Sequence, residues 1–240
     1  MSINKGYKSN RVRNIVAVGV FAALAYACTV VFHFKAGFLS FDLKDSVMAV
    51  ASMLFGPLYG VAMSLIVALI EFATISTTEI YGLVMNIISS VTFVFVGSMI
   101  YSYKKSLAGA VVGMTMSVFL TTCIMLVANL IITPHYMGVS TSDVAAMIPT
   151  LLLPFNLTKY IVNAAVVFLI YKPITNIIRH AGFSRTYENS GENFTSFDGV
   201  SANKTKRNLT SWMVFGSAVV IAIAALVYFF VYLHGSVSMY

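Results

Sequence analysis

Phe55-Gly56-Pro57-Leu58-Tyr59-Gly60 interrupts an apolar run that extends from 45 to 72. The reading of this segment decides how many times the chain crosses a membrane. If the run is continuous, 45–72 is one long helix. Proline removes a helical N–H and clashes with the preceding turn, and a glycine before it favours a turn. The alternative is therefore two short helices, 45–55 and 57–72, joined by a Gly-Pro turn. Hydropathy is the same for both readings, so the decision passes to the charges on either side.

The chain has 240 residues, of which 59% are apolar and only 10% charged, against about 25% charged in ordinary soluble domains. Several apolar stretches exceed the roughly 18 residues that mark a spanning helix. The expected fold class is all-α and polytopic in a membrane. A net charge of +7 would suggest nucleic acid in a soluble protein. Here the Lys and Arg residues cluster outside the apolar stretches, as the positive-inside rule requires, so no nucleic-acid partner is expected and lipid is the surrounding medium. Cys28 and Cys123 both fall in apolar spans, which points to small core side chains and not to a disulfide framework. The basic N-terminus is followed by a long apolar stretch without a clear cleavage site, so it reads as a retained helix.

The spans are read near 14–34, 45–55, 57–72, 80–101, 107–132, 147–172 and 211–234. Lys5, Lys8, Arg11 and Arg13 set the N-terminus in the cytoplasm. With one helix across 45–72, Lys104 and Lys105 would lie outside. With two, they lie inside, and so do Lys172, Arg179 and Arg185, while Glu71 and Glu79 fall in an outer loop. Charge thus favours two helices. A helix over 45–55 reaches only about 16 Å of the ~30 Å hydrocarbon core, so it must pack against others. Residues 181–210 are rich in Ser, Asn, Thr and Gly and read as a flexible cytoplasmic linker. The expected organisation is a membrane domain over 1–180, the linker over 181–210, and an extra transmembrane helix in 211–240. Seven crossings put the C-terminus outside.

Polar groups inside the spans carry the functional reading. Pro154-Phe155-Asn156-Leu157-Thr158-Lys159 places a carboxamide and an ammonium one turn apart in an apolar span. A charged side chain at the bilayer centre costs about 2.5–3.5 kcal/mol on the lenient scale. Pro154 suits the first turn of a helix, which moves Lys159 toward the outer surface. Asn156, Lys159 and Asn163 share one helix face. Asn86 and Asn129 lie on other spans, also in the outer half. A lone membrane Asn often serves interhelical hydrogen bonding, but the Asn156/Lys159 pair points to a ligand or cavity. Asn86, Asn129, Asn156 and Lys159 together could read the edge of a polar heterocycle, since Asn both donates and accepts and Lys donates three times.

The first outer loop, 35–45, is long enough to cover such a pocket. Phe38, Leu39 and Phe41 could lie over an aromatic ring, and Asp42 and Asp45 could accept from hydroxyls. For Asp45 the cap of the second helix is the stronger reading. Gly19, Ala23 and Ala27 form a small-residue stripe on the first span, which allows another helix to approach closely. No phosphate-binding G-x-x-x-x-G-K-[ST] loop, no H-E-x-x-H and no Gly-x-Ser-x-Gly elbow occurs. No catalytic residue, metal site or cofactor is expected, and the chain reads as no enzyme. A purely structural or sensory role stays open, in which the polar residues only pack helices.

Ser40-Phe41-Asp42-Leu43-Lys44-Asp45, the Phe55–Gly60 segment, Gly82 with Asn86, and Pro154–Lys159 together resemble the substrate-binding S components of energy-coupling factor (ECF) transporters, most closely the riboflavin-binding type, over about residues 10–176. The resemblance implies a six-helix bundle, to which 211–234 adds a seventh helix. It implies a vitamin, riboflavin or a related flavin, bound near the outer face under the first loop as transported substrate. It also implies a separate membrane T component, which Gly19, Ala23 and Ala27 would contact, and two cytoplasmic ATPases. Two positions depart from the pattern. Leu83 stands where the riboflavin type usually has an acid, and Ser46-Val47 follows Asp45 where a proline often does. Another vitamin therefore remains an alternative.

Overall fold

The computed structural model describes residues 3–32, 34–36, 38–75, 79–180, 204–232 and 236–237. Helix α1 (Ile3–Val31) leads into a small hairpin of β1 (Phe34–Ala36) and β2 (Leu39–Phe41). Then follow α2 (Lys44–Phe55), α3 (Pro57–Thr74), α4 (Glu79–Tyr103) and α5 (Leu107–Met137). A short helix, α6 (Thr141–Ala146), and a π-helical turn at Ile148–Leu152 lead into α7 (Leu153–His180). Helix α8 (Lys204–Tyr232) and strand β3 (Ser236–Val237) complete the described chain. Five of these helices contain stretches long and apolar enough to cross a membrane, and α8 adds a shorter apolar stretch at Gly216–Tyr232.

The Gly-Pro segment does break the long run. Gly56 adopts φ 113 and ψ 157, a region open essentially to glycine alone, and Pro57 starts α3 where its missing N–H is harmless. The two helices then fold back on each other. A Cβ on Gly60 would stand 2.2 Å from the Ser52 hydroxyl oxygen and 2.6 Å from a Val94 methyl, so only a bare α-carbon allows α3 to lie this close to α2 and α4.

Helix α2 is the centre of the bundle. Every residue from Lys44 to Leu54 is buried, and α2 packs against α1, α3, α4 and α7. At 12 residues it reaches about 18 Å, and the surrounding helices shield it from lipid. Its N-terminus takes no cap from its own chain segment. The Ser46 backbone N–H and hydroxyl donate to the Asn163 side-chain oxygen Oδ1 at 3.0 and 2.6 Å, and the Asn163 side-chain amide donates to the Asp42 backbone carbonyl at 2.9 Å. An asparagine on α7 thus caps α2, and Asp45 does not: it sits in the first turn and accepts from the Ser90 hydroxyl at 2.6 Å.

Two other expectations need correction, on Glu71 and on Cys123. Glu71 belongs to α3, buried on the same face as Ser64, Val67 and Ala68, and not to a loop. The last helix is described from Lys204, earlier than 211, while the remainder of the expected linker, 181–203, lies outside the described residues. Cys28 is half-buried and Cys123 is exposed on α5, so Cys123 is not a core side chain. Between α5 and α7, the Ser140 hydroxyl and the Asp143 backbone form a capping box. Hydrogen bonds from the Ser140 hydroxyl and backbone N–H hold the exposed Asp143 carboxyl below its usual range.

Candidate functional site

At the hairpin end of the bundle, α3, α4, α5 and α7 enclose a cavity of about 170 Å³. Its polar lining comes from the sequence elements expected to supply it. Asn86, Asn129, Asn156 and Lys159 all face it, with Phe38, Leu39 and Asp42 from the hairpin. Phe41 does not. Its ring is fully buried against Phe155, Val162 and Phe229. Gly19, Ala23 and Ala27 lie away from the cavity, exposed on α1, and a Cβ on Gly19 would meet nothing within 4 Å.

The three carboxamides come from α4, α5 and α7. The Asn156 amide donates to the Leu152 carbonyl at 2.7 Å. The Asn129 amide donates to the Met125 carbonyl at 2.7 Å and its oxygen accepts from the Thr133 hydroxyl at 2.9 Å. Both are bonds to the preceding or following turn of the same helix, so they orient the group without tying two helices together. A carboxamide has two N–H donors and an oxygen with two lone pairs, so each keeps hydrogen-bonding capacity toward the cavity. The π-helical turn before α7 matters here. Its carbonyl at Leu152 is the one that fixes Asn156, and Pro154 sits at the start of the regular helix, as its missing N–H requires.

The cationic and acidic groups form a buried network. The Lys159 ammonium donates to Asp42 Oδ2 at 3.1 Å and to the Ser40 carbonyl at 3.2 Å. The Lys44 ammonium lies 2.5 Å from Glu71 Oε2 and 3.8 Å from Asp42 Oδ2. The Asn86 amide donates to the same Glu71 oxygen, and the Ser90 hydroxyl ties in Asp45. Three carboxylates and two ammoniums thus share a region shielded from water. Removing one partner from such a buried pair typically costs about 3–5 kcal/mol, because the other charge is left uncompensated. Glu71 is 5% exposed and faces the cavity, and its second oxygen, Oε1, has no hydrogen-bond partner among the described residues.

Lys44 and Glu71 were missed by sequence reasoning. The missing signal was period. Carrying the helical period of the third span, 57–72, through its last turn puts Glu71 at i+7, i+4 and i+3 from Ser64, Val67 and Ala68, squarely on the buried face. Aromatic rings complete the walls. Tyr160 stacks on Phe93 at 5.6 Å, with its hydroxyl 2.9 Å from the Ser89 hydroxyl, and Tyr81 lies 6.2 Å from Tyr136. The result is an apolar slot with polar atoms grouped on α3, α4, α5 and α7, suited to a flat ring with a hydrogen-bonding edge. Among the described residues no cluster of His, Cys, Asp and Glu could hold a metal ion.

The comparisons with known proteins converge on this architecture. The family model described as ECF transporter, substrate-specific component, matches residues 13–171, which run from α1 into α7 and include every cavity-lining residue discussed above. The riboflavin transporter RibU of Staphylococcus aureus (strain TCH60) is 23% identical over 176 residues, covering 70% of this chain and 93% of its own. A solved S component of a bacterial ECF transporter superposes with a TM-score of 0.60 at 22% identity, covering 70% of this chain and 98% of its own. That likeness speaks to the fold. Helix α8 and strand β3 lie beyond the region matched by the family model. With the family model spanning most of the bundle that builds the cavity, the chain belongs to the substrate-specific components of ECF transporters, which are transport proteins of the membrane and not enzymes.

Proposed function

We propose that the chain binds riboflavin, or a close flavin, in the cavity beneath the hairpin and carries it into the cell together with a separate T component and two ATPase subunits. The observation that carries this reading is the grouping of Asn86, Asn129, Asn156 and Lys159 around one slot with aromatic walls. The isoalloxazine ring is flat and apolar over its benzenoid end and offers an alternating carbonyl, N–H, carbonyl edge at the other. Carboxamides match such an edge because they both donate and accept. The ribityl hydroxyls would find acceptors in Glu71 and Asp42. The likeness to a protein described as a riboflavin transporter supports the same ligand.

Gly19, Ala23 and Ala27 are the proposed contact for the T component, since they present an open, small-residue face on α1 where another helix can approach closely. The N-terminus is proposed to be cytoplasmic and the hairpin and C-terminal strand external. A topology reporter placed after Gly60 should then read cytoplasmic, and an external reading would reverse the orientation. Leu83, facing the cavity where the riboflavin type usually has an acid, favours a second reading in which another vitamin is bound.

The test is purification in detergent. A yellow preparation with a flavin absorption band, or saturable quenching of added riboflavin fluorescence, is the expected result. A colourless preparation that leaves riboflavin fluorescence unchanged contradicts the flavin reading. If a different vitamin raises the melting temperature of that preparation, the second reading takes its place.

A further inference from the structure

The C-terminal extension reaches back to the hairpin over the cavity. Helix α8 lies along α7, with Ala218 and Ala222 buried against Ala165. These small side chains let the two helices approach closely. At the hairpin end of α8, Phe229 is fully buried, its ring 5.2 Å from Phe41 and 6.2 Å from Phe155. Leu39, which lines the cavity, packs into this same cluster. Beyond α8, strand β3 pairs antiparallel with β1, Phe34 opposite Val237 and Lys35 opposite Ser236. The sheet order is β2-β1-β3.

This arrangement changes the physics of the hairpin. Two three-residue strands are marginally stable alone, and a third strand supplies what a hairpin lacks. With β3 in place, β1 is central and its outer backbone groups are paired instead of exposed. The hairpin is then held along two sides: β2 by Lys159 through the Ser40 carbonyl and Asp42, β1 by β3. The first hold belongs to the cavity itself. The second comes from outside the region that the family model matches.

We infer that α8 and β3 form a strap that keeps the hairpin closed over the cavity, with Phe229 as the positioning residue that seats it, and that this strap sets how fast bound ligand leaves. The inference deepens the proposed flavin site and rests on it for its ligand. Phe229→Ala removes the ring that packs on Phe41. Ser236→Pro combined with Val237→Pro removes the backbone N–H groups of β3. Both are made in the full-length chain, with Phe229→Leu as the conservative variant that keeps an apolar contact. Riboflavin release is followed by stopped-flow fluorescence, and amide hydrogen exchange is followed over residues 34–41 without ligand. Release is expected to accelerate about tenfold in Phe229→Ala and in the double-proline variant, the equivalent of about 1.4 kcal/mol, with Phe229→Leu near the parent. Exchange over 34–41 should rise in the same two variants. Parent-like release together with parent-like exchange overturns the strap. If the parent binds no riboflavin yet exchange over 34–41 still rises in the two variants, the strap stands and the flavin reading alone fails.

Discussion

The two ends of the bundle use the same helices and similar polar residues to opposite effect. At the hairpin end, polar groups of α3, α4, α5 and α7 border a cavity and keep unused hydrogen-bonding capacity. At the Gly56 end, polar groups are consumed by the protein. The Tyr101 and Tyr171 hydroxyls bond each other at 2.7 Å. Ser98 donates to the Val94 carbonyl at 2.7 Å on its own helix, Ser64 to the Gly60 carbonyl at 3.0 Å, and further up α5 Ser117 donates across to the Phe93 carbonyl of α4 at 2.5 Å. Both kinds of residue stand out equally in a membrane sequence. What separates them is whether the atom's partners are already inside the protein, and that depends on close packing. Gly60 lets the Gly56 end close, whereas the hairpin end is spread around a slot.

Substitutions at the two ends should therefore separate binding from stability. The largest expected effect is Lys159→Ala. It should lower riboflavin affinity about 100-fold, in line with the roughly 1.5–3 kcal/mol of a hydrogen bond to a charged group, and lower the melting temperature as well because Asp42 loses its buried ammonium partner, while size-exclusion chromatography still shows a monodisperse protein. Gly60→Val is next. Its side chain has no room beside Ser52 and Val94, and overpacking of this kind costs about 1–3 kcal/mol, read as a lower melting temperature in detergent, with the affinity of the folded fraction kept. Glu71→Gln removes the charge that pairs with Lys44 but keeps the shape. It should weaken binding about tenfold and lower the melting temperature, because the buried Lys44 ammonium loses its charge partner and a site at the cavity wall serves both roles. The smallest effect is Tyr101→Phe, which breaks the hydroxyl pair at the cost of about 1 kcal/mol and leaves affinity unchanged. Loss of affinity in Tyr101→Phe, or loss of stability alone in Lys159→Ala, would dissolve the distinction between the ends.

Much of this was legible in the chain. Apolar length and the placement of Lys and Arg read out a polytopic helical fold, and the charge argument across Phe55–Gly60 separated α2 from α3 where hydropathy was silent. The carboxamides and Lys159 converge on the cavity because polar residues in membrane helices are few, and each demands a partner. Phe41 was misplaced because the ring that draws it away from the cavity, Phe229, is distant in sequence and meets it only after folding. Asp45 was misread as a cap because its cap comes from Asn163, distant in sequence and close only after folding. Glu71 was missed because an acid near a span end looks like a loop residue until the helical period is carried through it. The pairing of β3 with β1 leaves no local signature, since it joins strands at opposite ends of the chain.

The most direct test of the central claim compares riboflavin titrations, followed by flavin fluorescence, of the parent chain, Lys159→Ala and Tyr101→Phe in the same detergent. The account predicts saturable quenching in the parent and in Tyr101→Phe at equal affinity, and a curve displaced about 100-fold to higher concentration in Lys159→Ala. Equal affinity in all three proteins would contradict it.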